Sequence, residues 1–258
     1  MNPQLLALVC VAALMVTTWV ISLIISDASI VDITWGLGFA VVGIATWLAD
    51  DSRTSLDHLI TVLVVVWGLR LTAYLAWRNL GHGEDFRYRA MRRRWGSSFW
   101  IISLLTVYVL QGTLMWVVSL PVHLSHRDSA GVGALAIVGT ALWGVGLLFE
   151  SVGDLQLARF KADSSNDGKV MNSGLWKYTR HPNYFGDACV WWGIALVAAT
   201  TGVGRWGLIG AFVMNVLLLR VSGVAMLEKS LVKRKPQYEE YIARTSAFIP
   251  RPPRRVVN

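Results

Sequence analysis

The sequence is short of charge. Asp, Glu, Lys and Arg make up only 16% of its 258 residues, whereas 54% are hydrophobic and the mean hydropathy is +0.49. A soluble domain carries about 25% charged residues. The composition therefore excludes an ordinary soluble domain and indicates a protein that crosses a membrane several times.

Cysteine is scarce as well. The sequence has two, Cys10 and Cys189, which both lie in apolar runs and belong to no C-x-x-C motif. A disulfide framework and a metal site are therefore not expected. The first apolar segment lacks a basic start and is longer than a signal-peptide core, which favours a retained membrane span. Because the sequence shows no internal repeat and no soluble linker, residues 1–258 are predicted to form a single membrane domain.

Seven apolar stretches have about the 20 residues that a ~30 Å hydrocarbon core requires. They cover about residues 5–26, 30–49, 58–78, 99–121, 131–153, 184–201 and 206–227. The loops 78–98 and 154–183 and the tail 228–258 hold 19 of the 24 Lys and Arg residues, and seven spans place all three on one side. By the positive-inside rule that side is cytoplasmic. The expected fold class is an all-α membrane protein with seven transmembrane helices, its N-terminus outside and its C-terminus cytoplasmic.

The basic residues flank membrane spans and accompany no nucleic-acid recognition motif. Membrane lipids are therefore an expected partner, and nucleic acid is not. The 154–183 loop also carries aromatic residues, Tyr178, His181 and Tyr184. Since Arg and Lys bind phosphate and aromatic rings stack on bases, these segments predict a dinucleotide or an adenosyl cofactor. The standard soluble nucleotide folds are excluded, because no G-x-G-x-x-G motif follows a strand and no Walker sequence occurs.

Polar side chains also occur inside the spans or at their ends, although a charge at a helix centre costs at least ~2.5 kcal/mol. They are Asp32, Arg70, Tyr74, Arg78, Glu150, Asp154, Asn183, Asp187, Asn215, Arg220 and Glu228. Spacings of four residues put Arg70, Tyr74 and Arg78 on one helical stripe. The clustering of the whole set predicts a polar cavity that opens to the cytoplasm. The alternative is a set of inter-helix hydrogen bonds and ion pairs, such as Asp32 with Arg70.

Three segments carry a family resemblance: "GEDFRYRAMRRRWG", "GLWKYTRHPNYFGD" and "LEKSLVKRKPQYEEYIARTSAFIPRPP". They resemble the bacterial branch of the steroid 5α-reductase family. Its superfamily includes sterol reductases and isoprenylcysteine carboxyl methyltransferases. The resemblance implies a seven-helix enzyme of the bacterial inner membrane. Such an enzyme uses NADPH, bound at a site facing the cytoplasm, to reduce a carbon–carbon double bond conjugated to a ketone. The implied substrate is a hydrophobic, steroid-like or other enone lipid.

The resemblance also implies roles for individual residues. The family acid that binds the substrate ketone matches Asp32, whereas a family tyrosine that helps to polarise the ketone falls near Trp67. Arg180 and His181 would lie where the cofactor phosphates need cations, and for His181 the alternative is a simple loop hydrogen bond. The expected cofactor-binding residues are Arg70, Tyr74, Asp154, Lys161, Tyr178, Arg180, His181, Asn183, Tyr184, Asp187, Glu228 and Tyr241.

Two other functions remain open. An S-adenosylmethionine-dependent methyltransferase of the isoprenylcysteine or phospholipid type shares the "RHP-x-Y" element and an acid near the last helix, so Glu228 does not discriminate. The 84–94 segment and Asp32 favour the reductase. The third hypothesis is a non-catalytic lipid-binding protein or a transporter, but transporters bind their substrates near the bilayer midplane. The polar residues here concentrate toward one side.

Overall fold

The computed structural model describes residues 1–125, 131–221, 224, 228, 231–232 and 235–254. Its α-helices are α1 Pro3–Ile24, α2 Ile30–Leu48, α3 Ser55–Asn79, α4 Phe86–Trp95, α5 Phe99–Ser103, α6 Leu110–Val118, α7 Leu120–Ser125, α8 Ala134–Ala162, α9 Pro182–Ala198, α10 Leu208–Val216 and α11 Tyr238–Arg244. Leu104–Val109 and Leu217–Val221 are π-helical. Across these described residues no β-strand forms beyond one isolated bridge, Thr179 with Ser246. The all-α prediction is confirmed.

Six helical segments of the described chain are long and apolar enough to cross a membrane, which indicates an integral membrane protein. They are Pro3–Ile24, Ile30–Leu48, Ser55–Asn79, Phe86–Val118, Ala134–Ala162 and Gly204–Val221. The predicted span 184–201 corresponds to α9, which has 17 residues and is not among the six. The end of the predicted span 206–227 lies partly outside the described residues. The seven-span count and the orientation stay predictions.

Most of the 84–94 segment lies in helix α4, Phe86–Trp95, although the sequence pattern placed it in a loop. The Asp85 side chain caps α4 by accepting a hydrogen bond from the backbone N–H of Arg87 at 2.9 Å. Asp is a strong N-cap residue, and Arg, Ala and Met favour the helix that follows. Gly96 ends α4 with φ of +50°, a conformation that glycine adopts most readily.

The predicted loop 154–183 is shorter than expected because α8 continues to Ala162. The segment "DLQLARFKA" consists mostly of good helix formers, and Arg159 and Lys161 lie in the last turn, where cations favour the helix dipole. Asp154 and Lys161 are therefore helical residues. Pro182 is the first residue of α9, as predicted, because its missing N–H has no partner to lose at a helix start.

The chain forms two compact units. Unit 1 comprises Met1–Ile137 and Ile194–Gly210, and unit 2 comprises Val138–Gly193 and Ala211–Asn258. In unit 1, α2 packs on α3 through the buried rings of Phe39 and Trp67, whose centroids lie 5.6 Å apart. In unit 2, α8 and α9 approach so closely at Gly146 and Gly186 that a Cβ on either would lie 2.5 Å from the other's carbonyl oxygen.

The close approach at Gly146 predicts that an alanine there destabilises the protein, whereas an alanine at the nearby Gly144 does not. Gly146→Ala should lower the free energy of unfolding by about 1–3 kcal/mol, because the backbone of α9 must move to admit the methyl group. Gly144, in the same helix, has no atom within 4 Å of its Cβ position. Gly144→Ala should therefore be neutral, or stabilising by up to about 1 kcal/mol. Denaturant unfolding in detergent compares the two, and equal effects would contradict the close packing.

Candidate functional site

Arg180 lies at the centre of a buried polar group in unit 2. Its Nε donates to Glu228 Oε1 at 2.7 Å and its Nη2 to Glu228 Oε2 at 3.1 Å, a bidentate ion pair. Its Nη1 donates to the backbone carbonyl oxygens of Ile242, at 3.2 Å, and Thr245. Only 8% of the Arg180 side chain is exposed. The guanidinium thus joins the start of α9 to two separate parts of the C-terminal segment.

His181 and Asn183 extend this group. His181 Nε2 lies 3.0 Å from Glu228 Oε1, and the imidazole stacks on the Tyr184 ring with centroids 5.4 Å apart and planes 5° from parallel. Asn183 Nδ2 donates to Asp154 Oδ1 at 3.2 Å. Asp154 is itself buried near the end of α8. We call Arg180, His181, Asn183, Asp154 and Glu228 the Arg180 cluster.

The C-terminal segment is fastened to the loop before α9. The Arg180 N–H donates to the Ser246 carbonyl at 2.9 Å, and Thr179 Oγ1 donates to the Phe248 carbonyl at 2.8 Å. The hydroxyl of Tyr241, a buried residue of α11, donates to the carbonyl of Trp176. Burial raises the pKa of Tyr241 further above neutral pH, where a phenol is already protonated, so the hydroxyl can donate this hydrogen bond. The tail is therefore part of the framework that holds the Arg180 cluster.

Glu228 is ionised in this framework. Partial burial alone would raise the pKa of Glu228, but hydrogen bonds from His181 and Arg180 and the positive charge of Arg180 outweigh it. They lower the pKa of Glu228 to about 2. The carboxylate consequently remains charged at any pH at which the protein is expected to work.

A second polar group lies in unit 1 around Asp32, in the first turn of α2. Asp32 Oδ2 accepts a hydrogen bond from Arg87 Nη2 at 3.0 Å, and Oδ1 accepts one from the Tyr88 hydroxyl at 3.0 Å. Gln111 Nε2, on α6, approaches the Tyr88 hydroxyl at 3.4 Å. Arg87 Nε also donates to Asp85 Oδ1 at 2.9 Å. We call Asp32, Asp85, Arg87, Tyr88 and Gln111 the Asp32 cluster.

The predicted site residues divide between the two units. Asp32, Arg70 and Tyr74 belong to unit 1, and the other predicted residues belong to unit 2. The predicted stripe on α3 is confirmed, because the guanidinium carbons of Arg70 and Arg78 lie 5.4 and 5.6 Å from the Tyr74 ring centroid. In unit 2, Lys161 and Tyr178 are exposed, and Asp187 is half-buried on α9. The suggested pair of Asp32 with Arg70 was an incomplete account, since Arg87 supplies a cation to Asp32.

Sequence reasoning did not single out Arg87, Tyr88 or Gln111. Arg87 and Tyr88 lie in a segment that was expected to be a loop, and Gln111 lies within the predicted span 99–121. A signal was present in the residues themselves. Asp85 as an N-cap predicts a helix in which Arg87 and Tyr88 occupy the first turn, and an amide in an apolar span calls for a polar partner. The long-range contacts to Asp32 follow only from the tertiary fold.

The fold and these two clusters define an all-helical integral membrane protein with two clusters of polar side chains, one buried around Arg180 and one partly exposed around Asp32. The chain belongs to a family described as a protein of unknown function, DUF1295, which matches residues 18–245. No curated protein and no solved structure matches the chain.

The lowered pKa of Glu228 predicts an acid-sensitive contribution to stability. This contribution is complete above the ordinary carboxyl pKa of 4.5 and is lost as the pH falls from there toward about 2. Glu228→Gln should lower the free energy of unfolding at pH 7 by about 3 kcal/mol, because Arg180 is then buried without a counter-charge. The variant should also lose less stability than the wild type between pH 5 and pH 3.

Glu240→Gln is the matched control. Glu240 pairs with Arg244 at 2.8 Å in the same tail, but both side chains are about half exposed or more. Exposed pairs contribute little. Thermal melts of the three proteins at each pH measure the difference, and parallel pH profiles for wild type and Glu228→Gln would contradict the assignment.

Proposed function

We propose that the protein uses NADPH to reduce a carbon–carbon double bond conjugated to a ketone in a hydrophobic lipid, as steroid 5α-reductases do. One observation carries the proposal. Six of the expected residues contact one another in unit 2: Asp154, Arg180, His181, Asn183, Tyr184 and Glu228. They are joined by the Arg180–Glu228 ion pair, the His181–Glu228 contact, the stacked rings of His181 and Tyr184, and the hydrogen bonds from Tyr184 N–H to Asn183 and from Asn183 to Asp154. A motif whose residues are buried and mutually bonded at a helix start is the kind of framework that a bound cofactor needs.

The proposal includes the finer topology. The protein lies in the bacterial inner membrane and crosses it seven times. Helix α9 is added to the six long apolar segments as the sixth crossing in chain order, the N-terminus is outside and the C-terminus is cytoplasmic. A helix of 17 residues is at the short end of the range that spans a bilayer. The three basic segments then face the cytoplasm, where NADPH is available. The cofactor site faces the same side.

The chemistry of unit 2 fits a phosphorylated group that carries rings. Lys161 is an exposed residue in the last turn of α8, and Tyr178, two residues before Arg180, is 42% exposed. The guanidinium of Arg180 is already bonded to Glu228 and to two carbonyls, so it holds the framework more than it offers donors. We therefore assign phosphate contacts first to Lys161, ring contacts to Tyr178 and Tyr184, and hydrogen bonds to Asn183. The remaining predicted cofactor contacts stay predictions.

NADPH supplies the hydride when it is bound, and the chain supplies position and electrostatics. Negative charge develops on the ketone oxygen as the double bond is reduced. A hydrogen-bond donor to this oxygen typically lowers the activation free energy of the reaction by about 3–4 kcal/mol. The Asp32 cluster of unit 1 is the polar group that we assign to this task, because the ketone-binding acid of the resembling family matches Asp32. The lipid substrate enters from the bilayer.

Cofactor identity is directly testable. NADPH should raise the melting temperature of the purified protein, whereas S-adenosylmethionine should change it little. A ligand at 100 times its Kd adds about 2.7 kcal/mol to the free energy of unfolding, so the shift is measurable. Stabilisation by S-adenosylmethionine alone would favour a methyltransferase, and no response to either would favour a non-catalytic lipid-binding protein.

Two single substitutions test the proposed cofactor residues. Asn183→Ala and Lys161→Ala should each weaken NADPH binding by roughly tenfold, about the 1.4 kcal/mol of one hydrogen bond or ion pair. Both variants should still fold, as judged by their melting temperatures without ligand. Arg205→Ala, which removes an exposed cation of unit 1, is the control and should bind NADPH like the wild type. Unchanged binding in both test variants would place the cofactor elsewhere.

A further inference from the structure

The geometry around Asp32 bears on which group meets the substrate oxygen. Both carboxylate oxygens of Asp32 already accept hydrogen bonds, one from the Arg87 guanidinium and one from the Tyr88 hydroxyl. Arg is always protonated in proteins, so Arg87 is a cation. A carboxylate paired with a cation in this way accepts hydrogen bonds and has no proton to donate. A ketone oxygen is also only an acceptor, and Asp32 in this arrangement cannot bind it.

Arg87 has the donors that Asp32 lacks. Its Nε is held by Asp85 Oδ1 at 2.9 Å and one Nη2 hydrogen by Asp32 Oδ2 at 3.0 Å. Two carboxylates thus fix the plane of the guanidinium from two sides. Within the part of the chain that the structure describes, no protein acceptor takes its Nη1 hydrogens. With 47% of the side chain exposed, these donors can reach a ligand.

The segment that carries Arg87 is itself anchored. Glu84 Oε1 accepts hydrogen bonds from the Ala28 N–H at 2.9 Å and from Arg92 Nη2 at 2.8 Å. The Asp85 N–H donates to Ser29 Oγ at 3.2 Å. These contacts tie the start of α4 to the start of α2, where Asp32 lies. The donor atoms of Arg87 are therefore preorganised, as a group that stabilises a developing charge must be.

We propose that Arg87 is the catalytic residue that hydrogen-bonds the ketone oxygen of the substrate, and that Asp32 and Asp85 are positioning residues that hold its guanidinium. The inference rests on the proposed reductase function and refines it. A cation at this position stabilises the enolate more strongly than the neutral ketone, because the negative charge appears only during the reaction. Tyr88 holds the Asp32 carboxylate through its hydroxyl, and Gln111 in turn contacts that hydroxyl.

The reaction balances without a proton from Arg87. The hydride of NADPH forms a bond to the β-carbon, the electrons of the carbon–carbon double bond move toward the carbonyl, and an enolate oxygen forms. Arg87 stays protonated and donates hydrogen bonds to that oxygen. The α-carbon then takes a proton from water. The sum is enone, NADPH and one proton giving saturated ketone and NADP⁺.

The central test removes Arg87 and compares it with a neighbour. Arg89 is an exposed arginine of the same helix for which no partner is described. With progesterone, a 3-oxo-Δ4 steroid, as the probe, Arg87→Ala should lower kcat for NADPH oxidation by about 10²–10³-fold. Arg89→Ala should stay near the wild type, and NADPH should bind all three proteins equally. Added guanidinium ion should restore part of the activity of Arg87→Ala and leave that of Asp32→Leu unchanged.

The opposite result is equally clear. If Asp32 is the hydrogen-bond donor to the ketone, Arg87 competes with the substrate for the Asp32 carboxyl group. Arg87→Ala should then keep or gain reductase activity, whereas Asp32→Leu should lose it. That outcome would overturn the inference. If Arg87→Ala does not fold, Arg87→Lys serves instead, because a lysine keeps the charge but cannot contact both carboxylates and a ligand in the same plane. A kcat for Arg87→Lys equal to that of the wild type would also overturn it.

A binding measurement separates this inference from the proposed function. Progesterone binding to protein loaded with NADP⁺ can be followed by tryptophan fluorescence without any turnover. We expect Arg87→Ala to bind progesterone at least about tenfold more weakly than the wild type, a loss of ~1.4 kcal/mol in binding free energy. This result supports the Arg87 contact even if the wild type oxidises no NADPH. In that case the reductase function fails alone. Equal binding by Arg87→Ala, or no binding to the wild type, overturns the inference.

Discussion

The Arg180–Glu228 ion pair is the interaction on which unit 2 depends. A guanidinium that is 8% exposed is costly unless its hydrogens find acceptors, and Arg180 makes four hydrogen bonds, two to Glu228 and one each to the carbonyls of Ile242 and Thr245. These acceptors come from the C-terminal segment, whereas Arg180 precedes α9. Satisfying one buried charge therefore forces the tail onto the loop before α9, and His181 and Asn183 take their positions from that loop.

Much of the helical fold could be predicted from the sequence, because the bilayer imposes a simple rule. Long apolar runs must be helices, and the predicted spans agree with the observed segments within a few residues except where other signals compete. The end of α8 at Ala162 was missed because charged residues were read as a loop, although "LQLARFKA" favours a helix. Helix α4 was missed for the same reason. Hydropathy identifies where a helix lies in lipid, and propensity and capping decide where it ends.

Sequence reasoning named the residues of the Arg180 cluster but not the contacts between them, and their role in binding a cofactor stays a prediction. The family resemblance selected both the "RHPNY" motif and Glu228, and the structure joins Arg180 and His181 of that motif directly to Glu228. Sequence reasoning expected Arg180 to offer its donors to a phosphate, yet the fold assigns them to protein acceptors. Partner choice over 48 residues, as between Arg180 and Glu228, depends on tertiary packing that no local pattern encodes.

The two clusters use an arginine in opposite ways, and this contrast bears on function. Arg180 is buried, and its Nε, Nη1 and Nη2 all donate to protein acceptors, so its contribution is rigidity. Arg87 is about half exposed and is held by two carboxylates through its Nε and Nη2. A guanidinium that is fixed on one edge and open on the other is suited to a charge that arises only during a reaction.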